Sequence, residues 1–130
     1  MKSNNVRYLF RGKRSDNLRK TWVVGHYVSV PRPMIVFDEL LLNGNWNVFD
    51  VDPATIGQCT GLCDKNGTLI FEGDIVNRTT ACGEQRCGIE FREGSFRCTS
   101  LRYKTPYIIN VPGETLEIIG NIYDNPELVE

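Results

Sequence analysis

The chain has 130 residues and a formal net charge of −1, with 41% hydrophobic and 24% charged residues, which is the composition of one ordinary globular domain. No apolar run approaches the roughly 20 residues that span a bilayer, and the first residues lack the apolar stretch of a signal peptide. These features exclude a helical membrane protein and predict a soluble, cytoplasmic protein.

The small net charge hides an asymmetry along the chain. Residues 1–20 contain seven Lys or Arg against one Asp, whereas residues 113–130 contain five Asp or Glu and no Lys or Arg. Opposite charges of this kind attract each other within one chain or between two chains.

The N-terminal half alternates with a period of two, which predicts strands. A first strand is expected to begin with residues 6–10, a second to cover 21–30 and a third to cover 34–37. A basic hairpin loop at 12–20 connects the first two. Pro31 and Pro33 interrupt the ladder, because proline cannot donate a hydrogen bond to it. The Asn43-Gly44 pair predicts a tight turn between strands at 40–43 and 46–49, since both residue types tolerate positive φ.

The middle of the chain carries two turn signals. Asp52 and Pro53 predict one capped helical turn, with Gly57 ending it in a left-handed conformation. Residues 64–67, which end in Asn66-Gly67, predict the strongest turn of the chain.

Short strands then follow at 74–79, 88–91, 95–99 and 116–123, with a turn at Glu93-Gly94 and a terminal helical turn at 125–128. Ile75, Ile89 and Phe91 are expected to point inward. The number and length of these strands predict a small barrel rather than a sandwich.

Several segments, taken in order and spacing, resemble the YopX family of bacterial phage and prophage proteins. They are residues 10–13, Trp22 with Gly25 and Tyr27, and residues 51–58, 60–62, 64–67, 71–76 and 117–128.

The resemblance implies a phage or prophage origin, homo-oligomerisation and a mainly β fold. Residues 59–130 would form an SH3-like β-barrel, and residues 1–58 a β-hairpin segment packed on it or on a neighbouring subunit, although the two could behave as one domain. The family offers no catalytic motif, so no catalytic residue and no cofactor is expected. Cys59 and Cys63 depart from the family pattern.

The cysteines suggest the weakest functional alternative. Cys59 and Cys63 are separated by three residues and Cys82 and Cys87 by four, with eighteen residues between the pairs, and four thiolates can bind zinc in a closed tetrahedral site. Structural zinc ribbons mostly have two-residue gaps, so unliganded thiols in a reducing cytosol are the favoured interpretation.

A second alternative is a nucleic-acid-binding module, because basic side chains next to aromatic rings follow a phosphate backbone and stack on bases. The same residues also suit a protein partner. The candidate nucleic-acid or partner surface consists of Arg11, Lys13, Arg14, Arg19, Lys20 and Trp22.

The favoured hypothesis is a non-enzymatic accessory protein that acts through a homo-oligomer or a protein partner and not through a membrane. Its N-terminal half is rich in apolar and aromatic residues, and its proline-interrupted strands leave edges that another chain can pair with. The aromatic and apolar residues concerned are Tyr8, Phe10, Trp22, Tyr27, Met34, Phe37, Trp46 and Phe49.

The cysteine interpretation predicts that protein purified without added zinc contains much less than one metal ion per chain. A chelator should leave its melting temperature unchanged, because no metal contributes to folding. Elemental analysis and a thermal melt with and without chelator measure both. About one zinc per chain, lost together with the fold, would favour the zinc alternative instead.

Overall fold

The protein is mainly β, and the computed structural model describes residues 8–16, 19–81, 83–108 and 115–129. The strands are β1 (Phe10–Lys13), β2 (Trp22–Val28), β3 (Met34–Leu40), β4 (Trp46–Asp50), β5 (Gly57–Cys63), β6 (Leu69–Phe71), β7 (Asp74–Thr80), β8 (Gly83–Arg92), β9 (Ser95–Ser100), β10 (Pro106–Ile108) and β11 (Leu116–Asn121). The chain divides into two compact units between Cys59 and Thr60, called here the N-terminal and C-terminal units. No helix in the described ranges is long and apolar enough to cross a membrane.

The N-terminal unit contains an antiparallel sheet with the strand order β4-β3-β2-β1-β5, to which β5 contributes its first residues. The predicted hairpin on Asn43-Gly44 is confirmed, because β3 pairs with β4 and Gly44 has a φ of +87°. The predicted start of the first strand at residues 6–7 lies outside the described residues. Strand β1 continues to Lys13, so the basic loop is shorter than predicted.

One face of this sheet, called here the inner face, is filled by large side chains. Ile35 is fully buried and lies opposite Tyr27 on β2 and Phe49 on β4. Phe37 packs on Phe49 with ring centroids 5.1 Å apart. A Cβ at Gly25 would lie 2.9 Å from Ile35 Cγ2, so only glycine lets β2 approach this packing.

The chain after β4 returns to β1. Arg14 and Val51 form an isolated antiparallel bridge, and Asp52 caps the predicted helical turn by accepting from the N–H of Ala54. The turn is a 3-10 helix at Pro53–Thr55. Gly57 does not end it, because Ile56 already returns the backbone to an extended conformation and Gly57 begins β5.

The C-terminal unit contains the end of β5, β6 and a five-stranded antiparallel sheet with the order β10-β9-β8-β7-β11. Its core lies on one face of that sheet, and the terminal helical turn is a 3-10 helix at Pro126–Val129. The core residues are Ile70, Val76, Cys87, Ile89, Cys98 and Leu116, with Ile118 packed against them.

The prediction of a closed SH3-like barrel is wrong, because the described sheet of the C-terminal unit stays open. In the described part of the chain β10 pairs with β9, β11 pairs with β7, and these two edge strands do not pair with each other. Strand β10 has three residues and starts with a proline, and β11 changes register between Ile118 and Gly120, so neither edge continues the ladder.

The strands of the C-terminal unit are longer than predicted at several ends. Strand β8 extends to Arg92, which carries Phe91 beyond the core. Ile75 and Ile89 are buried as predicted, whereas Phe91 is exposed and packs edge-on against Phe96.

A buried carboxylate joins the 64–67 turn to β11. Oδ1 of Asp64 accepts from the N–H groups of Asn66 and Thr68 at 2.9 and 3.0 Å, and Oδ2 accepts from the N–H of Ile118 at 3.0 Å. Burial alone would raise the pKa of Asp64. The N–H groups of Ile118, Thr68 and Asn66 together outweigh it and hold the pKa below its ordinary value.

We expect Asp64→Asn to lower the free energy of unfolding at pH 7 by about 1–3 kcal/mol, because one buried N–H loses its carboxylate acceptor. Since the folded pKa lies below the unfolded value of about 3.9, the carboxylate's contribution is complete above that pH and is lost as the pH falls through the folded pKa. Urea unfolding of both proteins at pH 7 and pH 3 measures this. The same difference at both pH values would contradict the assignment, and the exposed Asp124→Asn serves as a control.

The turn predicted from Asn66-Gly67 is confirmed, because Gly67 has a φ of +84° and its N–H donates to the carbonyl of Asp64. A β-branched residue is strained in this conformation, so Gly67→Val should destabilise the protein by more than about 1 kcal/mol. Thermal melting compares this variant with Gly67→Asn, since asparagine tolerates positive φ better. An unchanged melting temperature for Gly67→Val would refute the turn.

Candidate interaction surface of the N-terminal unit

The sheet of the N-terminal unit has a second face, called here the outer face, which is defined by the strand register. Arg11 lies opposite Val24, Lys13 opposite Trp22, and Val36 opposite both His26 and Val48. Directly opposed residues share a face, and every second residue of a strand returns to it. The outer face therefore carries Arg11, Lys13, Trp22, Val24, His26, Val28, Met34, Val36, Trp46, Val48 and Asp50.

Arg11, Lys13 and Trp22 form a contact on the outer face. The guanidinium carbon of Arg11 lies 4.6 Å from the centre of the Trp22 ring, and Nζ of Lys13 lies 5.6 Å from it. Cations at these distances are attracted by the negative face of the indole. The structure thus brings together three of the six residues that the sequence singles out.

The other three residues lie apart from this contact. Arg14 follows β1 on the inner side, where its guanidinium carbon lies 4.4 Å from the Phe49 ring centre. Its Nε donates to Asp16 at 2.8 Å, and this hydrogen bond lowers the pKa of Asp16. Arg19 is exposed in the hairpin loop, and Lys20 borders a cavity of about 430 Å³ beside Arg32 and Asp50. The predicted six-residue surface is therefore divided between two faces and a loop.

The outer face also exposes apolar side chains. Trp46 is 60% exposed, and Val24 and Val48 are exposed on the same face. Next to Trp46 lies the tip of the β3–β4 hairpin, called here the leucine tip, which consists of Leu40, Leu41 and Leu42. Leu40 is directly opposite Trp46 and 55% exposed, and Leu42 is fully exposed.

Hydrogen bonds hold the leucine tip in shape. The N–H of Leu41 donates to the carbonyl of Asn45 at 2.7 Å, and the N–H of Gly44 donates to the carbonyl of Leu41 at 2.9 Å. The side-chain oxygen of Asn43 accepts from the N–H of Asn45. The leucines are thus presented by an ordered turn instead of being drawn into the core.

Sequence reasoning missed the leucine tip, although a signal was available. Three consecutive leucines directly before an Asn-Gly turn place side chains on both faces of a strand, so a sheet that buries one face leaves at least one of them exposed. Among the aromatic residues that suggested association, Phe10 and Tyr27 instead contact each other on the inner face, with ring centroids 5.8 Å apart.

Polar pairs border the outer face. Nε2 of His26 is hydrogen-bonded to Oδ1 of Asp38, and both side chains are exposed. Nε of Arg32 donates to Asp50 at 2.6 Å. These hydrogen bonds give the carboxylates of Asp38 and Asp50 partners within the N-terminal unit.

The three described cysteines of the zinc alternative do not form a metal-binding group. Cys59, Cys87 and Cys98 are buried, Cys63 is exposed, and Cys82 lies outside the described residues. The hydrogen bond between the thiols of Cys87 and Cys98 lowers the pKa of Cys87 and raises that of Cys98. Within the described ranges no three His, Cys, Asp or Glu side chains are placed to hold a metal ion.

Comparison with known proteins identifies the family of the chain. A family model described as YopX protein matches residues 14–130. The SPbeta prophage-derived uncharacterized protein YopX of Bacillus subtilis (strain 168) is 31% identical over 70 residues, which cover 49% of this chain and 52% of the relative. The chain thus matches about half the length of this curated relative. Because the family model covers most of its length, the chain belongs to the YopX family.

Proposed function

We propose that the chain is an accessory protein of a phage or prophage that works in the bacterial cytoplasm as a non-enzymatic interaction module. It associates with further copies of itself through the outer face and leucine tip of the N-terminal unit. The prophage origin of the relative named above supports the first part of this proposal.

The association rests on the exposed apolar side chains around Trp46. Single exposed hydrophobic residues are common on protein surfaces, but a contiguous apolar patch rimmed by polar residues marks an interface. Leu40 and Trp46 are cross-strand neighbours, and Val48 follows on the same face of β4. Burying these side chains against a second copy removes them from water at roughly 25 cal/mol per Å² of apolar surface.

Charges on and beside the outer face contribute orientation. Arg11 and Lys13 lie on β1, whereas Asp38 and Asp50, which already pair with His26 and Arg32, lie on β3 and β4. Two copies that meet in antiparallel orientation would place the cations of one near these carboxylates of the other, which can accept further hydrogen bonds. Exposed ion pairs of this kind are worth about 0–1 kcal/mol each, so they select the orientation and the apolar residues supply the stability.

Nucleic-acid binding is the second candidate, and one observation favours it. Arg11 and Lys13 lie over the half-buried indole of Trp22, and two cations beside an aromatic ring can hold a phosphate next to a stacked base. The rest of the predicted basic surface lies elsewhere, and the formal net charge is −1. Association therefore has the stronger support.

We predict that light scattering at micromolar concentration gives a mass well above the monomer's 14.8 kDa. Leu42→Lys should lower this mass while the thermal melt stays within a few degrees, because the fully exposed Leu42 contributes nothing to the folded core. The matched control is Ile122→Lys, which places a lysine at an exposed apolar position of the C-terminal unit and should leave the mass unchanged.

A monomeric wild-type protein would refute the association. If the loss of charge at Arg11 and Lys13 weakened oligonucleotide binding in a salt-dependent way without changing the mass, the nucleic-acid candidate would replace it. Deleting residues 1–20 is the poorer test, since it removes β1 from the sheet.

A further inference from the structure

In the described part of the C-terminal unit, the sheet leaves one strand edge open. Strand β8 begins at Gly83, but β9 ends at Ser100, which lies opposite Cys87. In the described chain the first residues of β8 are therefore paired with β7 on one side and extend beyond β9 on the other.

The register shows which backbone groups face this open side. The carbonyl of Arg86 accepts from the N–H of Leu101 at 3.0 Å, so the backbone of Arg86 faces away from β7. The N–H and C=O of one residue in an antiparallel strand point to the same side, and the side alternates from residue to residue. Because the β7–β8 register is unbroken from Thr80↔Gly83 to Ile75↔Gly88, the N–H and C=O of Glu84 also face the open side.

A cavity of about 530 Å³ lies along this edge and is formed by the C-terminal unit alone. The side chains of Leu101, Leu128 and Val129 contribute apolar lining. This volume lies within the roughly 300–1,000 Å³ that is typical of ligand-binding pockets. The cavity is thus large enough for an apolar side chain together with adjoining backbone.

Polar groups around the cavity favour an anionic ligand. Arg86 and Arg102 line it together with one carboxylate, that of Glu84. Arg86 is held in place because its guanidinium donates to the carbonyl of Leu128 at 3.1 Å, and Arg102 lies over the ring of Tyr103 at 5.2 Å. The side-chain oxygen of Gln85, which also lines the cavity, is buried without a hydrogen-bond partner in the described structure.

We propose that the edge of β8 at Glu84 and the adjoining cavity bind an extended peptide of another protein, in which an apolar side chain is flanked by carboxylates. The peptide pairs with the backbone of Glu84 as an added strand, which is a recurring mode of peptide recognition. Its apolar side chain enters the cavity, and its carboxylates face Arg86 and Arg102. This site lies in the unit that the proposed association does not use.

The test measures binding of a fluorescein-labelled pentapeptide, with glutamate at both ends and leucine in the middle, by fluorescence anisotropy. Glu84→Pro should raise its Kd at least tenfold, because proline removes the edge N–H without removing a bond to β7. Arg102→Glu should raise the Kd several-fold. The matched control, Arg92→Glu, reverses an exposed charge at the other end of β8 and should leave the Kd unchanged.

A second measurement keeps the proposal falsifiable if Glu84→Pro fails to fold. Two versions of the peptide, each N-methylated at alternate backbone amides, should differ at least tenfold in Kd for the wild-type protein, because only one set of amides faces β8. Equal affinity of the two versions, or the absence of saturable binding by the unmethylated peptide, would overturn the proposal.

The wild-type protein and the Glu84→Pro variant also distinguish two other possible occupants of the β8 edge and its cavity. If Glu84→Pro lowered the mass in light scattering without any peptide, the edge would bind a second copy of the chain, and the proposal would be wrong. Competition of the labelled peptide by adenosine monophosphate, but not by unlabelled peptide, would likewise overturn it in favour of a nucleotide.

Discussion

The N-terminal unit depends on the constraint that its small sheet can fill only one face. Large side chains crowd around Ile35 on the inner face, and Gly25 is the position that lets β2 approach them. Because successive side chains of a strand point to opposite faces, each residue on the inner face has its sequence neighbours on the outer face. The outer face therefore receives valines and a tryptophan that the unit does not bury, together with the Arg11–Trp22 contact.

The C-terminal unit meets a different constraint, which is the need to satisfy buried polar groups at its turns. Asp64 accepts hydrogen bonds from two backbone N–H groups of its own turn and from one of the distant β11, and the buried Asp74 accepts from the N–H of Phe71. These carboxylates fix the corners of the sheet. The ends of β8 and β9 do not coincide, so the backbone of Glu84 extends beyond the last pair, and the cavity lies there.

Turn and cap residues in the sequence predicted much of this fold, but they did not predict whether the C-terminal sheet closes into a barrel. The turns at Gly44 and Gly67 and the cap at Asp52 could each be located from the sequence, because their residue types strongly favour these conformations. Barrel closure depends on how two edges meet after several strands. Pro106 and Gly120 indicate an edge strand and an irregular strand, but these local signals do not show whether the two edges pair. The candidate surface was predicted only in part, because neighbours in sequence alternate between the two faces of a strand. Proximity in sequence placed Arg14 with Arg11, but strand alternation sends them to opposite faces. The leucine tip had a signal in the sequence, three leucines directly before the Asn43-Gly44 turn, but the prediction did not use it.

If another copy of the chain covers Trp46 and the leucine tip, as proposed, the fluorescence of Trp46 reports the contact. The chain has two tryptophans, so Trp22→Phe leaves Trp46 as the single indole. Its emission should be blue-shifted and protected from iodide at micromolar concentration, and should shift to the red and become quenchable on dilution as the copies separate. Leu42→Lys in the same background should give the red-shifted spectrum at every concentration. A Trp46 emission that is red-shifted, quenchable and independent of concentration would show that no second copy covers this surface.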